Sequence, residues 1–208
     1  MIDFDTALSR CPLVAILRGL TPAEAEPVGA ALVDAGFSMI EVPLNSPDPF
    51  QSIGILSKAF GDRAIIGAGT VMTLDDIAGV NSAGGRLIVT PHCDPGLIGQ
   101  TRAAGLYCIP GVATPTEAFT ALNAGADALK AFPAEMIQPA VLKAWLAVLP
   151  RGTRIIPVGG IGEHNMKEYA AAGAIGFGLG SSLYKPGDTI ETTRKNAKQL
   201  LDTVASWR

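Results

Sequence analysis

The sequence predicts an α/β protein, a single-domain (β/α)8 TIM barrel with a short N-terminal helix, on three observations. Eight short runs of apolar and β-branched residues recur along the chain, helix start signals fill the gaps, and Ala-Gly repeatedly marks where each helix should stop. The runs begin about 23 residues apart on average, the length of one strand, one helix and two tight loops. Strands buried on both faces read as near-continuous apolar runs, which is the habit of parallel sheets. Eight such units with no linker between them imply a closed barrel, with an open doubly wound sheet as the competing arrangement.

Asp3 to Arg10 reads as a leading helix that closes the barrel floor. Leu13 to Leu17 is the first strand. Thr21-Pro22-Ala23-Glu24 then opens a helix with a capping threonine, proline at the first helical position and Glu24 three residues past the cap. Met39 to Val42, Ala64 to Gly67, Leu87 to Thr90 and Leu106 to Ile109 are the next four strands. Thr114-Pro115-Thr116-Glu117 repeats the capping device before the sixth strand, Ala126 to Lys130; Ile155 to Val158 and Ile175 to Leu179 complete the set. Gly36, Gly84, Gly105, Gly125 and Gly173 each follow an alanine where a helix should end in the left-handed conformation.

A chain of 208 residues that is 48% hydrophobic and 17% charged supports one core, so residues 1–208 are expected to form one domain. The net charge of −3 and the absence of a Lys/Arg-rich run give no electrostatic footprint for nucleic acid, which leaves a small molecule as the expected partner. The stretch from Ala170 to Leu179 is too short and Gly-rich to span a membrane, and the first residues lack the basic and apolar regions of a signal peptide, so a soluble cytoplasmic protein is expected. Cys11, Cys93 and Cys108 form no CxxC pair, and His92 and His164 stand in unrelated contexts, so no metal site is expected. Trp145 and Trp207 read as packing residues.

In a barrel of this kind catalytic groups sit at the C-terminal ends of the strands. Lys130 closes the apolar run Ala126-Asp127-Ala128-Leu129-Lys130-Ala131-Phe132-Pro133, where a full positive charge has no evident partner. At a pKa of about 10.4 only roughly one lysine in a few thousand is unprotonated at pH 7. A desolvated lysine with a lowered pKa suits nucleophilic attack on a carbonyl; the alternative is a lysine whose stem carries its charge out to solvent. Glu41 lies inside the apolar strand Ser38-Met39-Ile40-Glu41-Val42-Pro43, where a carboxylate needs a partner or a proton. Strands two and six face each other across an eight-stranded barrel, so Glu41 and Lys130 can meet, either as catalytic groups or as a buried ion pair whose desolvation offsets its attraction.

A second signal is independent of that pair. Gly159-Gly160 after the seventh strand and Gly180-Ser181-Ser182 after the eighth stand where barrels cradle phosphate with backbone N–H groups. Arg18 adds charge against a phosphate or a carboxylate, or else forms a salt bridge on the rim. Thr70, in Gly67-Ala68-Gly69-Thr70-Val71, either bonds a substrate carboxylate or caps the following helix. Phe132 reads as a packing wall whose apolar face helps keep the amine neutral.

Together these residues resemble the class I 2-keto-3-deoxy-6-phosphogluconate and 2-keto-3-deoxy-6-phosphogalactonate aldolases. The likeness runs from Val14-Ala15-Ile16-Leu17-Arg18-Gly19 through Glu41-Val42-Pro43-Leu44, Gly67-Ala68-Gly69-Thr70-Val71 and Lys130-Ala131-Phe132-Pro133 to Val158-Gly159-Gly160. It implies Lys130 as the Schiff-base lysine, Glu41 as general acid and base, Arg18 and Thr70 as substrate-binding groups, and Gly159, Gly160 and Ser181, beside Gly180, as the phosphate site. It also implies a homotrimer, a phosphorylated keto-acid substrate, and no metal or organic cofactor. Two positions depart from the gluconate-type pattern: Asn45 replaces an arginine and Val158 replaces a threonine, and both resemble the galactonate-type members. A threonine hydroxyl near the substrate's C4 hydroxyl rewards one epimer, and valine at nearly equal volume removes that bond. The competing classes are an isomerase that uses Glu41 alone with Lys130 as an electrostatic clamp, and a barrel that binds a sugar phosphate without turnover.

Overall fold

A parallel β-strand exposes alternate residues to opposite faces, so a run of apolar residues between two layers has an inner and an outer set. The computed structural model, which describes residues 1–206, is built on this rule; Trp207 lies outside the described residues. Helix α1 (Phe4–Arg10) is followed by β1 (Leu13–Ile16), α2 (Pro22–Ala35), β2 (Met39–Pro43), α3 (Pro49–Phe60), β3 (Ile65–Gly69), α4 (Leu74–Ser82), β4 (Leu87–Val89), α5 (Pro95–Ala103) and β5 (Tyr107–Ile109). The chain continues through β6 (Gly111–Val112), α6 (Pro115–Asn123), β7 (Leu129–Ala131), α7 (Pro139–Leu146), β8 (Ile155–Pro157), α8 (Met166–Ala171), β9 (Phe177–Leu179) and α9 (Ile190–Ala205).

The fold is α/β, with a curled six-stranded parallel sheet in the order β5-β4-β3-β2-β1-β9 and a three-stranded parallel sheet in the order β6-β7-β8. Only Pro110 separates β5 from β6, and a lone parallel bridge joins Val158, just past β8, to Gly178 in β9. The two apolar clusters follow the alternation. Leu13, Ala15, Ile40, Val42, Leu129 and Ala131 pack outward against the helices, whereas Val14, Ile16, Met39, Ile65, Ala128, Ile156 and Val158 form the inner cluster. Glu41 and Lys130 stand two residues after Met39 and Ala128, so period two places both on the inner side.

Start and stop signals act where expected. The Thr21 N–H donates to the Glu24 carboxylate at 3.1 Å, and Thr114 Oγ1 accepts from the Glu117 N–H at 3.3 Å. Gly36, Gly84, Gly105, Gly125 and Gly173 all adopt positive φ, where an L side chain is strained. The leading helix, capped by Asp3, seals one end of the strands: Phe4 sits 5.4 Å from the Tyr107 ring, Arg86 donates to the Ile2 carbonyl, Ser38 Oγ donates to the Ala7 carbonyl at 2.6 Å, and Arg154 pairs with Asp5 at 2.6 Å. No helix among the described residues is long and apolar enough to cross a membrane.

Candidate active site

At the opposite end, the C-terminal ends of the strands surround a cleft of about 690 Å³. All ten residues singled out in the sequence line it: Arg18, Glu41, Thr70, Lys130, Phe132, Val158, Gly159, Gly160, Gly180 and Ser181. Residues more than 160 positions apart in the chain converge because every parallel strand delivers its last residue to the same end.

Lys130 is 7% exposed and Glu41 2%, which excludes a lysine reaching out to bulk solvent. Burial raises the Glu41 carboxyl from 4.5 to about 7, against the opposing pull of Lys130, Arg18 and the Gly69 backbone. Burial likewise lowers the Lys130 amine, opposed by the negative charge of Glu41 and helped by the positive charge of Arg18. Desolvation therefore outweighs attraction in both residues. No salt bridge joins them among the described residues, and Glu41 Oε2 has no hydrogen-bond partner there. The cleft thus brings together a carboxyl raised to about 7 and an amine shifted toward its uncharged form, the kinds of group that proton transfer and nucleophilic attack require.

Phe132 differs from expectation. Its ring centroid lies 4.5 Å from Lys130 Nζ, close enough for the ring face to favour the charged amine and so to oppose the burial that lowers it. Thr70 does not have the capping role that is one of its two readings. Thr73, not Thr70, caps α4, with its Oγ1 accepting from the Asp76 N–H at 3.1 Å. Thr70 instead sits at the cleft with φ 57, a left-handed conformation costly for a β-branched residue. Arg18 forms no salt bridge among the described residues; Nη1 donates to Asn45 Oδ1 at 2.7 Å.

The two glycine-rich loops meet on one side of the cleft. Gly159 at φ 104 and Gly160 at φ 61 turn left-handed just after β8, a conformation open to glycine, and Ser182 Oγ donates to the Ile161 carbonyl at 3.0 Å, tying this loop to the one after β9. Val158 points inward because Gly178 has no side chain: a Cβ there would lie 2.6 Å from Val158 Cγ2. The sequence reading missed His164, Tyr184, Lys185 and Pro186, which also line the cleft. They sit in irregular segments with no periodic pattern; the one signal is Gly19, whose φ of 82 and lack of a side chain admit Pro186.

Comparison with known proteins gives a consistent picture. The family model "Aldolase: KDPG and KHG aldolase" matches residues 4–198. A Rhizobium meliloti protein described as a probable 2-dehydro-3-deoxy-6-phosphogalactonate aldolase is 50% identical over 94% of this chain and 91% of its own length. The Escherichia coli 2-dehydro-3-deoxy-6-phosphogalactonate aldolase is 46% identical over 91% of this chain and 92% of its own. A solved structure titled "Native KDPGal structure" superimposes with a TM-score of 0.93 at 44% identity, covering 95% of this chain and 96% of the other.

Proposed function

Because the chain belongs to the KDPG and KHG aldolase family, we propose that it is a class I aldolase that cleaves 2-dehydro-3-deoxy-6-phosphogalactonate to pyruvate and D-glyceraldehyde 3-phosphate. The observation that carries the reading is the buried pair itself: a lysine and a carboxyl, both on the inner face at the catalytic end of the strands, each shifted toward its uncharged form. Lys130 Nζ attacks the C2 ketone. Glu41 supplies the proton with which the carbinolamine loses water, and the resulting iminium is the electron sink. Glu41, now a carboxylate, takes the proton of the C4 hydroxyl; the C3–C4 electrons flow into the iminium, the aldehyde leaves, and the enamine is protonated at C3. Hydrolysis returns the free amine and pyruvate.

In this reading Gly159, Gly160, Gly180 and Ser181 receive the phosphate, Thr70 and Arg18 the charged or polar groups of the keto-acid, and Phe132 walls the amine. Val158 faces the C4 region. The galactonate epimer is favoured over the gluconate one by Asn45 and Val158, and by the galactonate names of the relatives at 50% and 46% identity.

We also read the two sheets as one closed (β/α)8 barrel forming a single domain over residues 1–208. Counting β5 and β6 as one stave broken at Pro110, with the Val158–Gly178 bridge as the seam, gives eight parallel staves. A homotrimer accords with the family likeness and with exposed Met72 and Leu74. A cytoplasmic location suits a substrate carrying both a carboxylate and a phosphate, which does not cross bilayers unaided.

Borohydride reduction in the presence of pyruvate tests the proposal. The expected adduct maps to the Lys130 peptide and vanishes in Lys130→Ala. An unmodified Lys130 peptide in a correctly folded protein would sink the imine mechanism and favour the isomerase or binding reading.

A further inference from the structure

Arg18 follows β1, the strand that pairs with β2 on one side and β9 on the other. Its guanidinium therefore stands between two groups of cleft residues. On the β9 side lie Gly180 and Ser181; on the β2 side lies Glu41, with Thr70 beyond it after β3. A guanidinium on a flexible stem serves either one.

The loop after β2 decides between them. Asn45 Oδ1 accepts from Arg18 Nη1 at 2.7 Å, and Ser46 Oγ accepts from the Gly19 N–H at 2.9 Å. Two adjacent residues thus grip two adjacent residues. Ser46 is buried and fixes the backbone, whereas Asn45 is exposed and holds the side chain. Gly19 is held from the other direction as well, since Pro186 fills the space a side chain would need. With its backbone pinned, Arg18 finds its side-chain hydrogen-bond acceptor among the described residues in Asn45. A neutral amide is well suited to this, because it takes one N–H and leaves the remaining guanidinium donors, and the full charge, for a ligand.

We infer that Asn45 is a positioning residue that acts through Arg18, holding the guanidinium on the β2 side of the cleft over the keto-acid carboxylate and away from the phosphate loops. This rests on the aldolase reading above. It also gives a physical role to one of the two departures from the gluconate-type pattern: an arginine at position 45 would set a second cation beside the first where this chain has a tether.

Pyruvate, which has the carboxylate and no phosphate, and inorganic phosphate are the two probes. Borohydride trapping across a pyruvate titration yields a half-saturation concentration and a limiting rate; inhibition of cleavage by inorganic phosphate yields an inhibition constant. Asn45→Ala is expected to raise the pyruvate half-saturation about 5- to 10-fold, the scale of one charge-assisted contact. The phosphate constant should stay within about twofold, since phosphate does not use that contact. In an Arg18→Ala background the Asn45→Ala change should add nothing, because its partner is gone. Asn45→Asp keeps the acceptor and the shape but neutralises the guanidinium in place; it should weaken pyruvate and spare phosphate, and it serves if the alanine variant folds poorly. A weakened phosphate constant, additive losses in the double variant, or an unchanged pyruvate half-saturation would each overturn the inference. If the unmodified protein forms no pyruvate adduct, the aldolase reading fails and takes this one with it; a normal adduct with unchanged half-saturation in Asn45→Ala removes this inference alone.

Discussion

The carboxyl of Glu41 occupies the space that a Cβ on Gly69 would need. Strands β2 and β3 are neighbours in register, Glu41 opposite Gly67 and Pro43 opposite Gly69; Gly69 leaves room for the acid, while Gly67 leaves room for the Leu87 backbone of β4. Gly69→Ala should push the carboxyl away from Lys130. A displacement near 1 Å is enough to reduce turnover by up to about 100-fold. Steady-state cleavage measured beside far-UV circular dichroism checks this; full activity in a folded variant would mean that Glu41 has slack.

Glu41 also sets a pH dependence of stability. Its folded pKa of about 7 lies above the ordinary 4.5, so between those values folding takes up a proton. Stability contributed by this group is present below about 4.5, falls as the pH rises through the window, and is fully lost above about 7. Glu41→Gln removes the cost of the buried charge. The variant should therefore gain stability relative to the parent at pH 8, on the order of 3 kcal/mol at most, and gain little at pH 4.5. Urea melts at the two pH values measure the difference, and an equal gain at both would contradict it.

What the sequence made legible was the part governed by periodicity. A charge inside an apolar run is conspicuous, and alternation then puts Glu41 and Lys130 on the inner face without further information. Helix caps at Thr21 and Thr114 and the glycine stops are local chemistry, readable within four residues. The sixth strand begins later than expected, at Leu129 rather than Ala126, because the Asp127 carboxylate accepts the Cys108 N–H at 2.8 Å and an Arg102 N–H at 2.8 Å and so anchors a connection. The fifth strand was expected to end at Ile109 and does, but a two-residue strand, Gly111–Val112, resumes beyond Pro110, which has no N–H to give a ladder. The Arg18–Asn45 bond spans 27 residues and depends on two side-chain rotamers, and Tyr184, Lys185 and Pro186 reach the cleft through a segment with no repeat; neither leaves a pattern in the chain.

Thr70 separates strain from chemistry. Its φ of 57 is tolerated by glycine and costly for any side chain. Thr70→Gly and Thr70→Ala both remove the hydroxyl, so both should raise KM for the keto-acid. Only the glycine variant relieves the backbone, and it should be more stable than the alanine variant by about 1 kcal/mol. Thermal melts of the two variants give the comparison; equal stabilities would mean the loop relaxes without help.

Val158 is the epimer test. Its side chain belongs to the inner cluster, lines the cleft and is 9% exposed, so the substitution tests whether a hydroxyl at the same volume reaches the substrate. Val158→Thr should move the ratio of kcat/KM values toward the gluconate epimer by about 1 to 3 kcal/mol, roughly 5- to 150-fold. An unchanged ratio would remove Val158 from the account of specificity.

With Phe4 seated on Tyr107 and Arg86 holding the Ile2 carbonyl, the first helix works as a stopper. The reaction chamber is then a blind alley whose entrance is also its exit. On the proposed mechanism, traffic would have to queue: the phosphorylated aldehyde would clear the doorway before the water that frees the three-carbon remnant arrives by the same path.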